Sequence, residues 1–376
     1  MRFDLFWVLM GRTAYVFAPL YLIPFAYGFA FGDPAAGSFL ALAVLSAILG
    51  MVFGNMGRSH MRQLSVQEGM LFLLVVWFLL AVLGMLPFHL AGLHLSPIDT
   101  FFDSISSLTT TGMTALGGGL PPSLILWRAL MSWFGGLLFI VILVTVLPVV
   151  GGCFGVDFAV QQERLFSPLW NRMTRPMREM TVLYIAITLV AVCIYLMAGD
   201  EIFPALILAL FTVSSGAGPM TAGLPPTPGL IFGGGLVSLL SALPLLTIWQ
   251  MLHRRSGTEI VRHMELRAFF ALFIGAGTLL CVPPILHGTQ SLASAIGYGY
   301  FYAISFLSTN GLMLQDEIPF HNGSELLLIV LAIIGGCMGS AAGGFRISRV
   351  LVLISLAWTE LLRTLHPRMV IAVHQG

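Results

Sequence analysis

The chain has 376 residues, of which 58% are hydrophobic and only 9% are charged, and its formal net charge at pH 7 is +1. A water-soluble globular protein carries far more charge on its surface, so this composition excludes an ordinary soluble domain and indicates a membrane protein. We therefore expect the protein to lie in a lipid bilayer and not to bind nucleic acid.

Apolar stretches of bilayer-spanning length recur along the chain and predict about eight transmembrane spans. The first stretch stays apolar for longer than the core of a signal peptide, and it lacks a small-residue cleavage site. It therefore predicts a retained helix. The last is long enough to be broken inside the membrane. The stretches lie at roughly 14–31, 37–56, 69–88, 124–150, 180–198, 229–251, 268–286 and 324–362.

The basic residues predict the orientation of these spans. All of them are arginine, and they cluster in alternate loops and in the tail, which the positive-inside rule assigns to the cytoplasm together with both termini. The opposite loops are acidic, with Arg128 as their one basic residue, and would either concentrate cations or merely solubilise the loops. Their acidic residues are Asp33, Asp99, Asp103, Asp200, Glu201, Asp316, Glu317 and Glu325.

One outer-loop pattern repeats along the chain. The segment FFDSISSLTTTGM at 101–113 aligns without a gap with YFYAISFLSTNGL at 300–312, and ALILALFTVSSGAGP at 205–219 is a weaker third copy. Each copy has one span before it and one after it, which is the signature of an internal repeat. The apolar stretches inside the copies are too short to cross a bilayer and predict half-membrane re-entrant helices. These stretches lie at about 98–108, 203–212 and 297–307.

The hydroxyl-glycine loops after these short helices would lie at membrane depth. Lipid cannot hydrogen-bond to a non-helical backbone, so such loops occur only where protein buries them or where they line an aqueous cavity. A Thr-Thr-Gly turn can point carbonyl and hydroxyl oxygens at an ion in place of water. The alternative is that the hydroxyls only cap helices and stabilise turns.

Several motifs in this chain resemble the Trk/Ktr/HKT superfamily of potassium transporters, most closely its bacterial TrkH type. The motifs are LPFHLAGLHLSPIDTFFDSISSLTTTG (86–112), LTTTGMT (108–114), SWFGGLLFIVILVTVLPVVG (132–151), IGGCMGSAAGGFR (334–346) and LLRTLHPRMV (361–370). The resemblance implies potassium uptake across the bacterial inner membrane. It also implies a homodimer that is gated by a cytoplasmic nucleotide-binding ring.

The fold implied by the resemblance is all-α and polytopic, with span, re-entrant pore helix and span repeated around a pseudo-fourfold pore axis. Residues 1–62 would be two extra N-terminal transmembrane helices, followed by pore repeats at 63–155, 172–256 and 264–376. The third repeat would have a broken last helix and a cytoplasmic tail.

The resemblance also assigns a potassium-binding selectivity filter. Ala217 stands where the family has a filter glycine, so Gly216 or Gly218 would substitute for it. Asn310 would offer a hard amide oxygen that suits an alkali cation. The choice between potassium and sodium stays open. The filter residues are Thr110, Thr111, Gly112, Ser215, Gly216, Ala217, Gly218, Thr309, Asn310 and Gly311.

The glycine-rich element at 334–346 would form a flexible gate below the filter. Its glycines weaken a helix, although Gly335, Gly339 and Gly343 also have the four-residue spacing of a helix-packing face. The charge of Arg346 would either gate cations or reach the inner headgroups. The gate residues are Gly335, Gly336, Gly339, Ser340, Gly343, Gly344 and Arg346.

The sequence ends at Gly376, where the family pattern continues into a fourth repeat. We expect a separate chain, a second copy or a three-sided assembly to complete a pore; otherwise the chain is a non-conducting scaffold or regulatory subunit. No catalytic or nucleotide-binding motif occurs, so we expect no enzyme and no cofactor. The basic loops 171–179 and 253–265 would dock a gating partner or bind anionic lipid.

Overall fold

A computed structural model gives the arrangement of most of the chain. It describes residues 4–56, 66–92, 95–117, 119–145, 171–216, 224–245, 248, 264–288, 290–314 and 324–365. Over these ranges the secondary structure is twelve α-helices and one isolated β-bridge. The helices are α1 Asp4–Phe31, α2 Ala36–Met56, α3 Val66–Leu90, α4 Pro97–Leu108, α5 Pro122–Thr145, α6 Asn171–Met197, α7 Ile202–Ser214, α8 Pro228–Ala242, α9 Met264–Leu286, α10 Leu292–Leu307, α11 Ser324–Ile334 and α12 Ile347–Leu365.

The fold class predicted from the sequence is confirmed: the protein is an all-helical, multi-pass membrane protein. Five of the described helices, α1, α2, α5, α6 and α9, are long and apolar enough to cross a membrane. The other predicted spans correspond to α3, to α8, and to α11 with α12. The last of these spans is interrupted as expected, because α11 ends at Ile334 and α12 begins at Ile347.

Three short helices follow predicted spans and match the predicted re-entrant stretches. Helices α4, α7 and α10 have 12, 13 and 16 residues. At 1.5 Å per residue they are about 18–24 Å long, which is less than the roughly 30 Å hydrocarbon core of a bilayer. Helix α4 begins with Pro97 after the extended residue Ser96, and Ser291 caps α10 by accepting a hydrogen bond from Ser294 N–H.

The chain divides into two compact units, residues 1–222 and 223–376. The predicted division into repeats at 63–155, 172–256 and 264–376 stays a prediction, and several of its boundaries lie outside the described residues. Helices α1 to α7 form the first unit, and α8 to α12 belong to the second.

In the first unit, helix α1 packs on α3 and α5 through aromatic residues. The ring of Tyr21 stacks on Trp127 of α5 with 4.5 Å between the centroids, and its hydroxyl donates a 2.7 Å hydrogen bond to the Leu83 carbonyl. The Trp127 indole donates to the Gly84 carbonyl of α3. Both rings are fully buried. Helix α1 is therefore fastened to the two long helices that flank α4.

Helix α5 also approaches the end of α4 closely. A Cβ atom added at Gly135 would lie 1.7 Å from the carbonyl oxygen of Leu108, the last residue of α4. Only glycine permits this distance between the helices. The close contact fixes the end of α4, which is where the predicted filter loop begins.

Asp33 ties the turn between α1 and α2 to the start of α5. Its two carboxylate oxygens accept hydrogen bonds from the N–H groups of Ala35 and Ser123, at 2.9 and 3.1 Å. Partial burial alone would raise the pKa of Asp33, but the hydrogen bonds from Ser123 and Ala35 lower it below its ordinary value. The folded protein therefore favours the ionised carboxylate.

We expect Asp33→Asn to lower the thermal unfolding temperature of the purified protein at neutral pH. A carboxyl with a lowered pKa contributes stability above its unfolded-state pKa of about 3.9, and this contribution is lost as the pH falls through the folded-state value. The difference between wild type and variant should therefore shrink below about pH 4. Unfolding in detergent across this pH range measures it, with Glu360→Gln on exposed α12 as the control. A difference that is constant with pH would contradict the assignment.

Candidate functional site

The three short helices end in the same backbone turn. Thr110, Ser215 and Thr309 adopt the left-handed conformation, with φ of 57°, 57° and 55°. The N–H of the residue after each of them bonds to the carbonyl five residues earlier: Thr111 to Ser106 at 2.8 Å, Gly216 to Phe211 at 3.0 Å and Asn310 to Ser305 at 3.2 Å. This is the Schellman pattern of helix termination.

The residue types in these turns are unusual for that conformation. Glycine normally occupies the left-handed position, because an L-residue there costs about 1–2 kcal/mol. Here the position is held by threonine, serine and threonine. All three positions carry a hydroxyl side chain in place of glycine, and strained backbone of this kind is common at functional sites. The same register follows from the sequence alignment of the three copies.

The residues after the turns show how far the copies agree. Gly112 and Gly311 have positive φ of 77° and 69°, which glycine adopts without strain. Ala217 and Gly218, the predicted filter residues of the second copy, lie outside the described residues. The first and third loops thus each have two left-handed positions with one residue between them.

The structure brings the first and second turns together within the first unit. A Cβ atom added at Gly216 would lie 3.3 Å from the Cα of Thr110. The Ser215 hydroxyl is buried and has no hydrogen-bond partner among the described residues. In the first loop Thr109 and Thr111 are exposed, and their hydroxyls lie 2.8 Å apart. The first and second turns therefore approach each other closely, and both carry hydroxyl groups.

The side chain of Asn310, in the third loop, has a role other than the ion-ligand role expected from the sequence. Its amide oxygen accepts hydrogen bonds from the Ser305 hydroxyl at 3.0 Å and from the Leu312 N–H at 3.1 Å. Its amide nitrogen donates to the Ser238 hydroxyl of α8 at 2.5 Å. The side chain is 1% exposed and holds the loop in place through these three hydrogen bonds. Asn310 can still present its backbone carbonyl to an ion.

An ion pair that sequence reasoning missed supports the first loop. Arg128 of α5 lies 3.0 Å from the Asp103 carboxylate of α4, measured from Nε to Oδ2, and the two side chains are 1% and 0% exposed. Arg128 also donates to the Met113 carbonyl at 3.1 Å, immediately after the filter segment. The sequence analysis placed both charges on the outer surface. That placement is wrong, because each charge neutralises the other inside the protein.

The predicted gate segment forms an irregular loop between α11 and α12. Gly335, Gly339, Gly344 and Arg346 have positive φ, so the continuous helix that a packing stripe of glycines needs is absent from 335–346. Arg346 is 9% exposed.

Two side chains hold this loop at separate points. The Gly343 N–H donates to the Thr309 hydroxyl at 2.7 Å, which joins the loop to the third turn. The Met338 N–H donates to a Glu265 carboxylate oxygen at 2.6 Å.

Metal-binding side chains do not cluster in the described part of the chain. No group of three or more His, Cys, Asp or Glu residues there could hold a metal ion. Cys193, Cys281 and Cys337 are unpaired, and Cys153 lies outside the described ranges. An ion at this site would have to bind to backbone carbonyl, hydroxyl or amide oxygens.

The fold and the repeated turns define a class: helical membrane proteins whose short helices end in oxygen-rich loops between long helices. Comparisons with known proteins narrow the class. The TrkH family model, described as a cation transport protein, matches residues 38–203. The Trk system potassium uptake protein TrkH of Halomonas elongata is 27% identical over 381 residues, which cover 98% of this chain and 78% of that protein. The Escherichia coli K12 protein of the same name is 26% identical over 388 residues, covering 100% and 80%.

A solved structure agrees with these relatives. The crystal structure of the potassium transporter TrkH from Vibrio parahaemolyticus matches with a TM-score of 0.89 at 25% identity, covering 100% of this chain and 79% of that one. The resemblance seen in the motifs is therefore confirmed: the chain is similar to TrkH-type potassium uptake proteins over nearly its whole length. These relatives are named transport proteins, which confirms the expectation that the chain is not an enzyme.

We expect Arg128→Ala to lower the free energy of unfolding by about 3–5 kcal/mol, because it leaves the Asp103 carboxylate buried without its partner. The double variant Arg128→Met with Asp103→Leu removes both charges and should recover most of this loss. Arg363→Ala is the matched control, since Arg363 pairs with Glu360 on the surface and such pairs contribute less than about 1 kcal/mol. Denaturant unfolding in detergent measures all three. Equal losses for Arg128→Ala and Arg363→Ala would contradict the buried-pair assignment.

Proposed function

We propose that this chain is a potassium uptake subunit that moves a monovalent cation through a filter of backbone carbonyls and hydroxyls. The observation that carries the proposal is the left-handed turn at Thr110, Ser215 and Thr309, repeated after three short helices. The relatives named as potassium uptake proteins support the choice of ion. No cofactor is needed in the chain, and potassium is the cargo.

The chemistry of the turns fits this role. A cation that leaves water must exchange its hydration shell for protein oxygens, and neutral carbonyl and hydroxyl oxygens suit an alkali cation. Thr110, Thr111 and Gly112 supply the first set, and Thr309, Asn310 and Gly311 the third. Ser215, Gly216, Ala217 and Gly218 supply the second. The buried Ser215 hydroxyl, without a partner among the described residues, supports a ligand role for the second turn.

The loop at 335–346 acts as the gate in this proposal. Its irregular backbone and its hydrogen bond to Thr309 support a segment that responds to the state of the filter. Gly335, Gly336, Gly339, Gly343 and Gly344 give the loop freedom to move. Ser340 adds a hydroxyl, and the charge of Arg346 opposes the passage of cations.

The setting of the protein follows the same proposal. The chain lies in the bacterial inner membrane, as the family resemblance implies, and the distribution of its arginines favours a cytoplasmic position for both termini. It works as a homodimer with a cytoplasmic nucleotide-binding gating ring.

We expect Gly112→Ser and Gly311→Ser to lower the preference for potassium over sodium by at least about tenfold, or ~1.4 kcal/mol, because a side chain at positive φ displaces the filter backbone. Gly92 and Gly288 are matched controls: their φ values of 74° and 64° impose the same strain, and a Cβ there meets no neighbouring atom. Gly92→Ser and Gly288→Ser should therefore keep the selectivity.

Cation flux into proteoliposomes that contain the purified chain measures this preference. Unchanged selectivity in both filter variants would refute the site assignment. Absence of flux from folded, inserted wild-type protein would favour a non-conducting scaffold or regulatory subunit instead.

A further inference from the structure

Two serines, on helices α5 and α8, contact the filter turn of the following repeat. Helices α5 and α8 begin at Pro122 and Pro228, and aligning these prolines places Ser132 over Ser238. Both serines are 0% exposed. Neither belongs to the predicted filter, and the sequence analysis assigned a role to neither, although Ser132 begins the motif at 132–151.

Ser132 contacts the second turn. Its hydroxyl lies 2.9 Å from the hydroxyl of Ser214, the residue immediately before the left-handed Ser215. A Cβ atom added at Gly216 would lie only 2.0 Å from the Ser132 hydroxyl, so the turn rests directly on this side chain. A helix of the first repeat therefore sets the position of the second filter turn.

Ser238 sets the position of the third turn through its hydrogen bond with Asn310. Its hydroxyl donates to the Gly234 carbonyl at 2.6 Å and accepts from the Asn310 amide nitrogen at 2.5 Å. Asn310 passes this support on, because its amide oxygen binds the N–H of Leu312 beyond the filter glycine. The filter backbone on either side of Gly311 is thereby tied to α8.

We propose that Ser132 and Ser238 are positioning residues that set the cation selectivity of the filter turn in the next repeat. This inference rests on the proposed filter and adds two residues outside it. Selectivity depends on the number and placement of carbonyl oxygens around the ion, so a contact that fixes the loop from behind changes which ion fits. The Met113 carbonyl beyond the first turn is instead held within its own repeat, by Arg128 and by the Ser106 hydroxyl at 2.7 Å.

The two serines should differ in importance. Without Ser238, the buried Asn310 amide nitrogen loses the hydroxyl that it donates to, and an unsatisfied buried donor is costly. Without Ser132, the Ser214 hydroxyl still donates to the Leu210 and Phe211 carbonyls. Ser238→Ala should therefore disturb its turn more than Ser132→Ala disturbs the second turn.

The test compares the ratio of potassium to sodium flux in proteoliposomes that contain the full chain. We expect Ser238→Ala to lower this ratio by about fivefold, the equivalent of one hydrogen bond to a buried group. Ser132→Ala should lower it less, and Ser238→Thr should preserve it because the hydroxyl remains. Ser241→Ala is the control: Ser241 is buried on the same helix, but its hydroxyl donates to the Ser238 backbone carbonyl and not to the filter.

A second measurement does not depend on conduction. The unfolding temperature of each purified variant is measured in potassium and in sodium solution, and the difference between the two temperatures is compared among the variants. A ligand that binds the folded state raises that temperature. Ser238→Ala should reduce the difference between the two ions, and Ser241→Ala should not.

The outcomes separate the inference from the proposed function. If Gly311→Ser changes the ion preference and Ser238→Ala does not, the positioning role is refuted and the filter stands. If neither changes it, the proposed filter fails as well. Asn310→Ala with Ser238→Ala provides a further check, because the second substitution should add nothing once Asn310 is gone. Additive effects on ion preference would overturn the coupling of Ser238 to the filter through Asn310.

Discussion

The structure depends on one constraint: non-helical backbone at membrane depth must have its N–H and C=O groups satisfied by protein, water or an ion. Each short helix meets the constraint in the same way. A left-handed residue closes a Schellman turn, and the turn returns the next N–H to a carbonyl of the helix. The loop that follows then has carbonyl oxygens left to offer. The site is thus a consequence of how these helices end.

The three turns share a backbone but are supported by different side chains. At the first loop, Arg128 pairs with Asp103 and donates a hydrogen bond to the Met113 carbonyl. In the third repeat Tyr302 stands at the position of Asp103, and its hydroxyl accepts a hydrogen bond from the Leu314 N–H at 3.4 Å. A charged support and a neutral one therefore hold corresponding loops. Such variety is expected when the backbone geometry is the shared requirement.

Much of the fold could be predicted from the sequence because length and hydropathy are local properties. The short helices and the broken last span follow from them, and the register of the copies follows from the alignment of their sequences. The pairing of Arg128 with Asp103 could not be predicted, since burial of a charge depends on tertiary contacts that a hydropathy pattern does not encode. The bracing role of Asn310 was missed for the same reason: its partner Ser238 lies on another helix, 72 residues earlier. For the ion pair, the available signal was the presence of Asp103 and Arg128 within the neighbouring helices α4 and α5, because charged residues inside a membrane protein are usually paired.

The central claim is that the turns at Thr110, Ser215 and Thr309 bind a dehydrated alkali cation. The most direct measurement is a crystal structure in rubidium, with anomalous scattering used to locate the ion. The account predicts anomalous density within coordination distance of the carbonyl oxygens of these turns, and loss of that density in Gly112→Ser but not in Gly92→Ser. Rubidium bound only at the acidic outer loops, with none at the turns, would contradict it.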